Sequence, residues 1–206
     1  WLVSFPIRFR SYTLSSPKIK APVRLAVVSD LHSTVYGPDQ KRLLDKLRQS
    51  RCDLILMPGD IIDDIKPLRG AELFLDQVSA IAPCYYCTGN HENIETLITL
   101  PEVKARVRQA GITVLDNTRE TITIRGTRLT LCGVDDPRKY AYIDRDQQEE
   151  VQLMNELGSM QDCPEYTILL AHRPERSPIY AQFGFDLIVS GHAHGGQVRI
   201  PGLING

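Results

Sequence analysis

The chain's 206 residues are enough for one domain with a sizeable core, and 42% apolar with 24% charged residues is an ordinary balance for a folded chain. A net charge of −1, from 24 basic and 25 acidic residues, excludes a general electrostatic field for nucleic acid or an anionic membrane surface. No apolar run approaches the roughly 18 residues that a membrane-spanning helix requires.

The chain opens on Trp1-Leu2-Val3, followed by Arg8 and Arg10. Phe5, Ile7 and Phe9 alternate with polar residues and predict an edge strand; the alternative is the remnant of an upstream segment. An apolar run over 23–29, bounded by Pro22 and Asp30, predicts the first buried strand. Gly37-Pro38-Asp39 then opens a helix with Leu43, Leu44 and Leu47 on its apolar face. A strand over 54–57 ends at Pro58-Gly59. A helix over 69–81 turns Leu73, Phe74, Val78 and Ile81 inward, and Pro83 restarts the chain as a strand over 84–88. This β-α-β-α-β order predicts a mostly parallel sheet covered by helices.

The middle of the chain changes character. Residues 113–115, 121–124 and 129–134 are short β-prone runs, with a hairpin turn at Arg125-Gly126-Thr127, and they predict a second, more antiparallel sheet. A polar helix over 145–157, with Val151, Met154 and Leu157 on one face, precedes strands at 166–170, 186–189 and 197–200. No repeat or linker interrupts the series, so residues 1–206 read as a single domain.

Cys52, Cys84, Cys87, Cys132 and Cys163 make an odd count. Cys84 and Cys87 have the spacing of a redox or metal pair, but residues three apart on a strand face opposite sides. The turn and helix of a thioredoxin-like pair are also missing. They read as small core residues, and free buried thiols lean towards a reducing, cytoplasmic compartment. A membrane-associated or exported chain stays open through the N-terminal segment.

All five histidines fall in short motifs: His32 in SDLH, His91 in GNHE, His172 in LAHRPE, and His192 and His194 in SGHAHGGQ. With Asp60 in GDIID, these segments follow apolar runs and belong at the carboxyl ends of strands, where open α/β sheets bind ligands. The set has carboxylates, an amide and imidazoles but no thiolate. Such donors suit Mn²⁺, Fe or Zn²⁺ rather than a cysteine-rich structural zinc. One ion cannot use them all; two can.

The ordered series D-x-H, G-D, G-N-H-E, lone His and G-H-A-H resembles the calcineurin-like metallophosphoesterases, and GHAHGGQVRIPG looks most like their bacterial YkuE-type branch, whose members are often described as phosphodiesterases or phosphohydrolases. The resemblance covers the chain after about residue 20. It implies an α/β fold, a four-layer α/β/β/α sandwich of two mixed sheets flanked by helices. It also implies two divalent transition-metal ions per chain, with Mn preferred and Fe or Zn open. Asp30, His32 and His194 would hold the first, Asn90, His172 and His192 the second, and Asp60 would bridge them.

The implied reaction is hydrolysis of a phosphate mono- or diester by in-line attack of a metal-bridging hydroxide. His91 would assist the leaving group, with Asp63 as the carboxylate that orients it. Glu92 is read as a cap on the helix that follows. Arg173 and Arg138 are candidates for substrate phosphate. The implied partner is a small phosphorylated substrate, with a lipid-linked one kept open, no nucleic acid expected, and no stable protein partner inferable. The competing reading is a metal-binding scaffold without catalysis. Two departures from the family pattern stand out: Ser33-Thr34-Val35 where relatives carry Gly, and an end at Gly206 that reads as a C-terminal truncation with strands of the second sheet missing.

Overall fold

Runs of buried aliphatic residues build the framework of this chain, and each splits its side chains between two faces. The structure, a computed structural model, describes residues 7, 9–94, 96–136, 145–194, 199–200 and 204–205. The first sheet has the order β1 (Leu25–Val27), β2 (Leu54–Pro58), β3 (Cys84–Cys87) and β4 (Thr113–Val114), parallel throughout. The second has β5 (Thr118–Ile124), β6 (Thr127–Gly133), β7 (Tyr166–Leu170) and β8 (Leu187–Val189), in which only β5 and β6 run antiparallel. β9 (Arg199–Ile200) and β10 (Ile204–Asn205) form a separate antiparallel pair.

Period-two alternation assigns the faces. Leu54 and Leu56 of β2 and Cys87 of β3 meet Leu129, Leu131, Ile168 and Leu170 in a core between the sheets. Ile55, Met57, Cys84 and Tyr86 point the other way. They pack against α1 (Lys41–Ser50), α2 (Arg69–Val78) and α3 (Leu100–Gln109) through Leu44, Leu47, Phe74, Val78, Val103 and Val107. Cys132 and Leu169 of the second sheet cover Leu153 and Leu157 of α4 (Arg145–Ser159), Met160 just after it, and Tyr180 of α5 (Ser177–Tyr180). The result is the expected α/β/β/α sandwich, and Cys84 and Cys87 do fall in different cores. Burial pushes the Cys84 thiol up to about 12, so the pair has no reactive thiolate.

Several expectations change. Residues 113–115 join the first sheet, since Thr113 and Val114 pair with Tyr85 and Tyr86 of β3. The second sheet is less antiparallel than its hairpin promised. Arg125 and Gly126, both at positive φ, form the two-residue turn of that hairpin. In α2 Leu75 is buried where Leu73 was expected. In α4 the inward face is Leu153 and Leu157, continued by Met160 just past its end, whereas Val151 is 59% exposed. Helix α3 went unpredicted, although Thr99 and Glu102 close a capping box around its start. Ile7 and residues 9–16 form no strand, and Phe5 lies outside the described residues.

Candidate metal centre

Asp30 and His32 follow β1, Asp60 follows β2, Asn90 and His91 follow β3, His172 follows β7, and His192 and His194 follow β8. All stand at carboxyl ends of strands. To aim their side chains back over the strand ends, Asp30, His32, Asp60, His192 and His194 adopt φ between 47° and 67°. For non-glycine residues this costs on the order of 1–3 kcal/mol each, and it persists where neighbours over-determine the conformation. Gly59, at φ 85°, takes the same turn with no room for a side chain: a Cβ there would stand 2.6 Å from His172 Nδ1.

Two groups of donor atoms result: Asp30, His32 and His194, and Asp60, His172 and His192, each gathered within 4.8 Å. In the first, His32 Nε2 is 3.1 Å from His194 Nε2, which is itself 3.5 Å from Asp30 Oδ1. In the second, His172 Nε2 is 3.0 Å from Asp60 Oδ2 and 3.1 Å from Asn90 Oδ1. Asp60 joins the two, because the same Oδ2 lies 3.7 Å from His32 Nε2.

The tautomers test whether a cation fits. His172 Nδ1 lies 2.8 Å from the Pro58 carbonyl oxygen, so Nδ1 carries a proton and donates it. A neutral His172 then turns a lone pair towards a carboxylate oxygen and an amide oxygen, which are also acceptors. Asp60 Oδ2 is buried and has no hydrogen-bond partner. Acceptors that converge this way need a proton or a cation between them. Without the cation, burial opposes a charge on His172, but its contact with Asp60 outweighs burial and raises it to about 9. Burial likewise opposes the Asp60 charge, and contact with His172 holds it at about 2. His32 and His192 are pushed down, in both cases mainly by burial, with nearby imidazoles adding to it. Neutral imidazoles beside buried carboxylates are the donor set of a borderline divalent cation.

His91 stands beside the first group, its ring edge-on to His32 with centroids 4.4 Å apart. The carboxylate it contacts is Asp64, with Oδ1 2.5 Å from His91 Nδ1, and not Asp63. Asp63 Oδ1 accepts the N–H groups of Ile65 and Lys66 at 3.0 and 2.8 Å, while Oδ2 lies 3.3 Å from His32 Nδ1. That side-chain turn swings the chain so that the next residue faces His91. Asp63, His32 and His91 still gather donor atoms within 4.8 Å.

Arg173 is committed elsewhere. Its Nε and Nη2 donate to Asp136 Oδ2 and Oδ1 at 2.6 and 3.2 Å, a fork on a buried carboxylate, and Nη1 donates to Glu175 at 3.2 Å. It braces the loop after β7 and does not stand ready for a phosphate. Arg138 lies outside the described residues. Glu92 caps no helix; residues 91–93 form a turn, and its buried carboxylate accepts four backbone N–H groups. The signal for it was the sequence G-D-I-I itself, a turn whose buried N–H groups need an acceptor.

Imidazole and carboxylate donors at the common edge of two helix-flanked sheets are the arrangement of a metal-dependent hydrolase. Residues 23–196 match the family model for calcineurin-like phosphoesterases, and the chain belongs to that family. It is 31% identical over 187 residues to a putative metallophosphoesterase of Caenorhabditis elegans, covering 85% of this chain and 37% of that protein. It is 28% identical to the phosphodiesterase YaeI of Escherichia coli, over 88% of this chain and 64% of that one. The metallophosphoesterase YkuE of Bacillus subtilis is 25% identical, over 86% and 60%. The chain thus spans between about a third and two thirds of these relatives' lengths. In fold it is similar to phosphopantetheinyl hydrolase of Mycobacterium tuberculosis, with TM-score 0.57 and 16% identity over 85% of this chain and 84% of that one.

Proposed function

We propose that the chain is a dinuclear metal-dependent phosphoesterase with a preference for diesters. The observation that carries this reading is Asp60 Oδ2, a buried carboxylate oxygen without a hydrogen bond, set 3.7 Å from His32 Nε2 and 3.0 Å from His172 Nε2. Asp30, His32 and His194 would hold one ion and Asn90, His172 and His192 the other, with Asp60 shared. Mn²⁺ is the first candidate, with Fe or Zn²⁺ as alternatives. Two such cations supply Lewis acidity, offsetting phosphoryl charge and acidifying water.

The chain's own residues supply the rest. Pro58 fixes the His172 tautomer, so that its Nε2 lone pair faces inward. Asp30 Oδ1 accepts the His192 N–H at 2.9 Å and ties the loop after β8 to the loop after β1. His91 Nδ1 is engaged by Asp64, which leaves Nε2 as the atom that hands a proton to the leaving oxygen. The substrate is a small phosphorylated molecule, and the similarity to the phosphodiesterase YaeI supports the diester preference. A lipid-linked substrate fits the same chemistry.

The test compares an aryl phosphodiester with the matching monoester under Mn²⁺, alongside elemental analysis. Two ions per chain and faster diester hydrolysis are expected. No bound metal after Mn²⁺ loading sinks the proposal, and two bound ions without turnover make the protein a scaffold.

A further inference from the structure

Glu92 is 2% exposed. A buried carboxylate is costly unless its oxygens are hydrogen-bonded, and here both are. Oε1 accepts the N–H of Ile61 at 2.7 Å and of Ile62 at 3.0 Å; Oε2 accepts those of Asp60 at 2.9 Å and Gly89 at 2.8 Å. Three successive N–H groups converge on one anion because the backbone turns through positive φ at Gly59 and Asp60, which makes a concave nest. The loop after β3 gives something back. The His91 N–H donates to Asp60 Oδ1 at 2.9 Å. Each loop therefore presents a carboxylate to the other's backbone. With Oδ1 held in this way, Oδ2 is the Asp60 oxygen left for the two donor groups.

We infer that Glu92 is a positioning residue, which locks the backbone of Asp60 so that Oδ2 faces both groups at once. The inference rests on the proposed function insofar as Asp60 is taken as the shared ligand. Glu92 does not reach the donor groups itself; it acts through the loop it closes. Its consequence is that the residue after G-N-H governs metal affinity without touching metal.

The experiment uses Glu92→Gln, close in shape, whose NH₂ must face two of the N–H donors. Two quantities are read: amide hydrogen exchange of the metal-free protein at Asp60, Ile61, Ile62 and Gly89, and Mn²⁺ affinity by calorimetry. The comparison variant is Leu47→Ala on α1, a core truncation in the layer behind the first sheet. Glu92→Gln should speed exchange at those four amides and weaken Mn²⁺ binding about ten- to a hundredfold, the usual cost of losing support behind a metal ligand. Leu47→Ala should change neither selectively, although it lowers stability. Glu92→Asp, which keeps the charge on a shorter arm, should recover part of the affinity, and it is read on the same scales if Glu92→Gln does not fold. Unchanged exchange at the four amides overturns the inference, as does faster exchange with wild-type Mn²⁺ affinity. A wild-type protein that bound no Mn²⁺ would remove the proposed function, while the exchange pattern would still decide whether Glu92 holds the loop.

Discussion

Asp64→Asn should slow turnover about ten- to a hundredfold while leaving metal content intact. The side chain sits 2.5 Å from His91 Nδ1 and is 9% exposed, so water cannot take its place. Asparagine keeps the shape and an acceptor oxygen but loses the charge that makes such a contact strong. A general acid contributes about 10²–10⁴ in rate. A group that only orients it controls part of that, and outer carboxylate partners of functional imidazoles are worth roughly 10–100-fold. This corresponds to about 1.4–2.7 kcal/mol of barrier. The Thr96 hydroxyl donates to the Asp64 carbonyl oxygen, so the loop should keep its path in the variant. The assay is kcat on an aryl phosphodiester at saturating Mn²⁺, with elemental analysis of the same sample. Asp63→Asn is the matched comparison, because an amide oxygen can still accept from Ile65 and Lys66 and keep the turn. Because Asp63 Oδ2 also faces His32 Nδ1 at 3.3 Å, this variant should bind Mn²⁺ more weakly, but its kcat at saturating Mn²⁺ should stay near wild type. A larger loss in Asp63→Asn than in Asp64→Asn would refute the assignment of the two acids.

Two further outcomes follow from the ion pairs. In the metal-free protein, the raised His172 stabilises the fold fully below its unfolded value near 6.5, and that contribution is lost as pH rises through about 9. The depressed Asp60 contributes above 3.8 and is lost as pH falls through about 2. Metal-free Tm should therefore decline between pH 6.5 and 9 more steeply than that of the Mn²⁺-loaded protein. Because binding must displace the His172 proton, apparent Mn²⁺ affinity should rise over the same interval, and calorimetry in buffers of different ionisation enthalpy that detected no proton release would contradict this. Arg173→Ala removes the fork on Asp136, whose side chain is fully buried, and should cost on the order of 3 kcal/mol in a thermal or urea melt. An unchanged Tm with a raised KM would instead make Arg173 a phosphate ligand.

Much of this arrangement was legible in the chain because strand ends and donors coincide. β2 and β7 are short, mostly apolar runs that end two residues before Asp60 and His172, so the pattern alone set both carboxyl edges. Other features depend on contacts that sequence does not carry. Val151, Met154 and Leu157 fit a helical stripe as well as Leu153, Leu157 and Met160 do, and only docking on Cys132 and Leu169 chooses between them. β4 is two residues long, and its sheet is decided by pairing with β3. Asp63 and Asp64 are adjacent acids, and which one meets His91 is set by a turn that Asp63 itself closes. Arg173 looked available because its partner, Asp136, lies 37 positions earlier.

The two donor groups have one more consequence. Asp30 and His32 come from the first sheet and His194 from the second; Asp60 comes from the first and His172 and His192 from the second. Any cation held there would add a cross-link between two layers that already meet through their shared core and through hydrogen bonds at this edge, such as His192 N–H to Asp30 Oδ1 and His172 Nδ1–H to the Pro58 carbonyl. Its supply would then govern mechanical closure of the sandwich along one edge. Chelation would remove that cross-link and loosen the edge, while the shared core keeps both halves joined, in the way an undone clasp leaves a book bound at its spine.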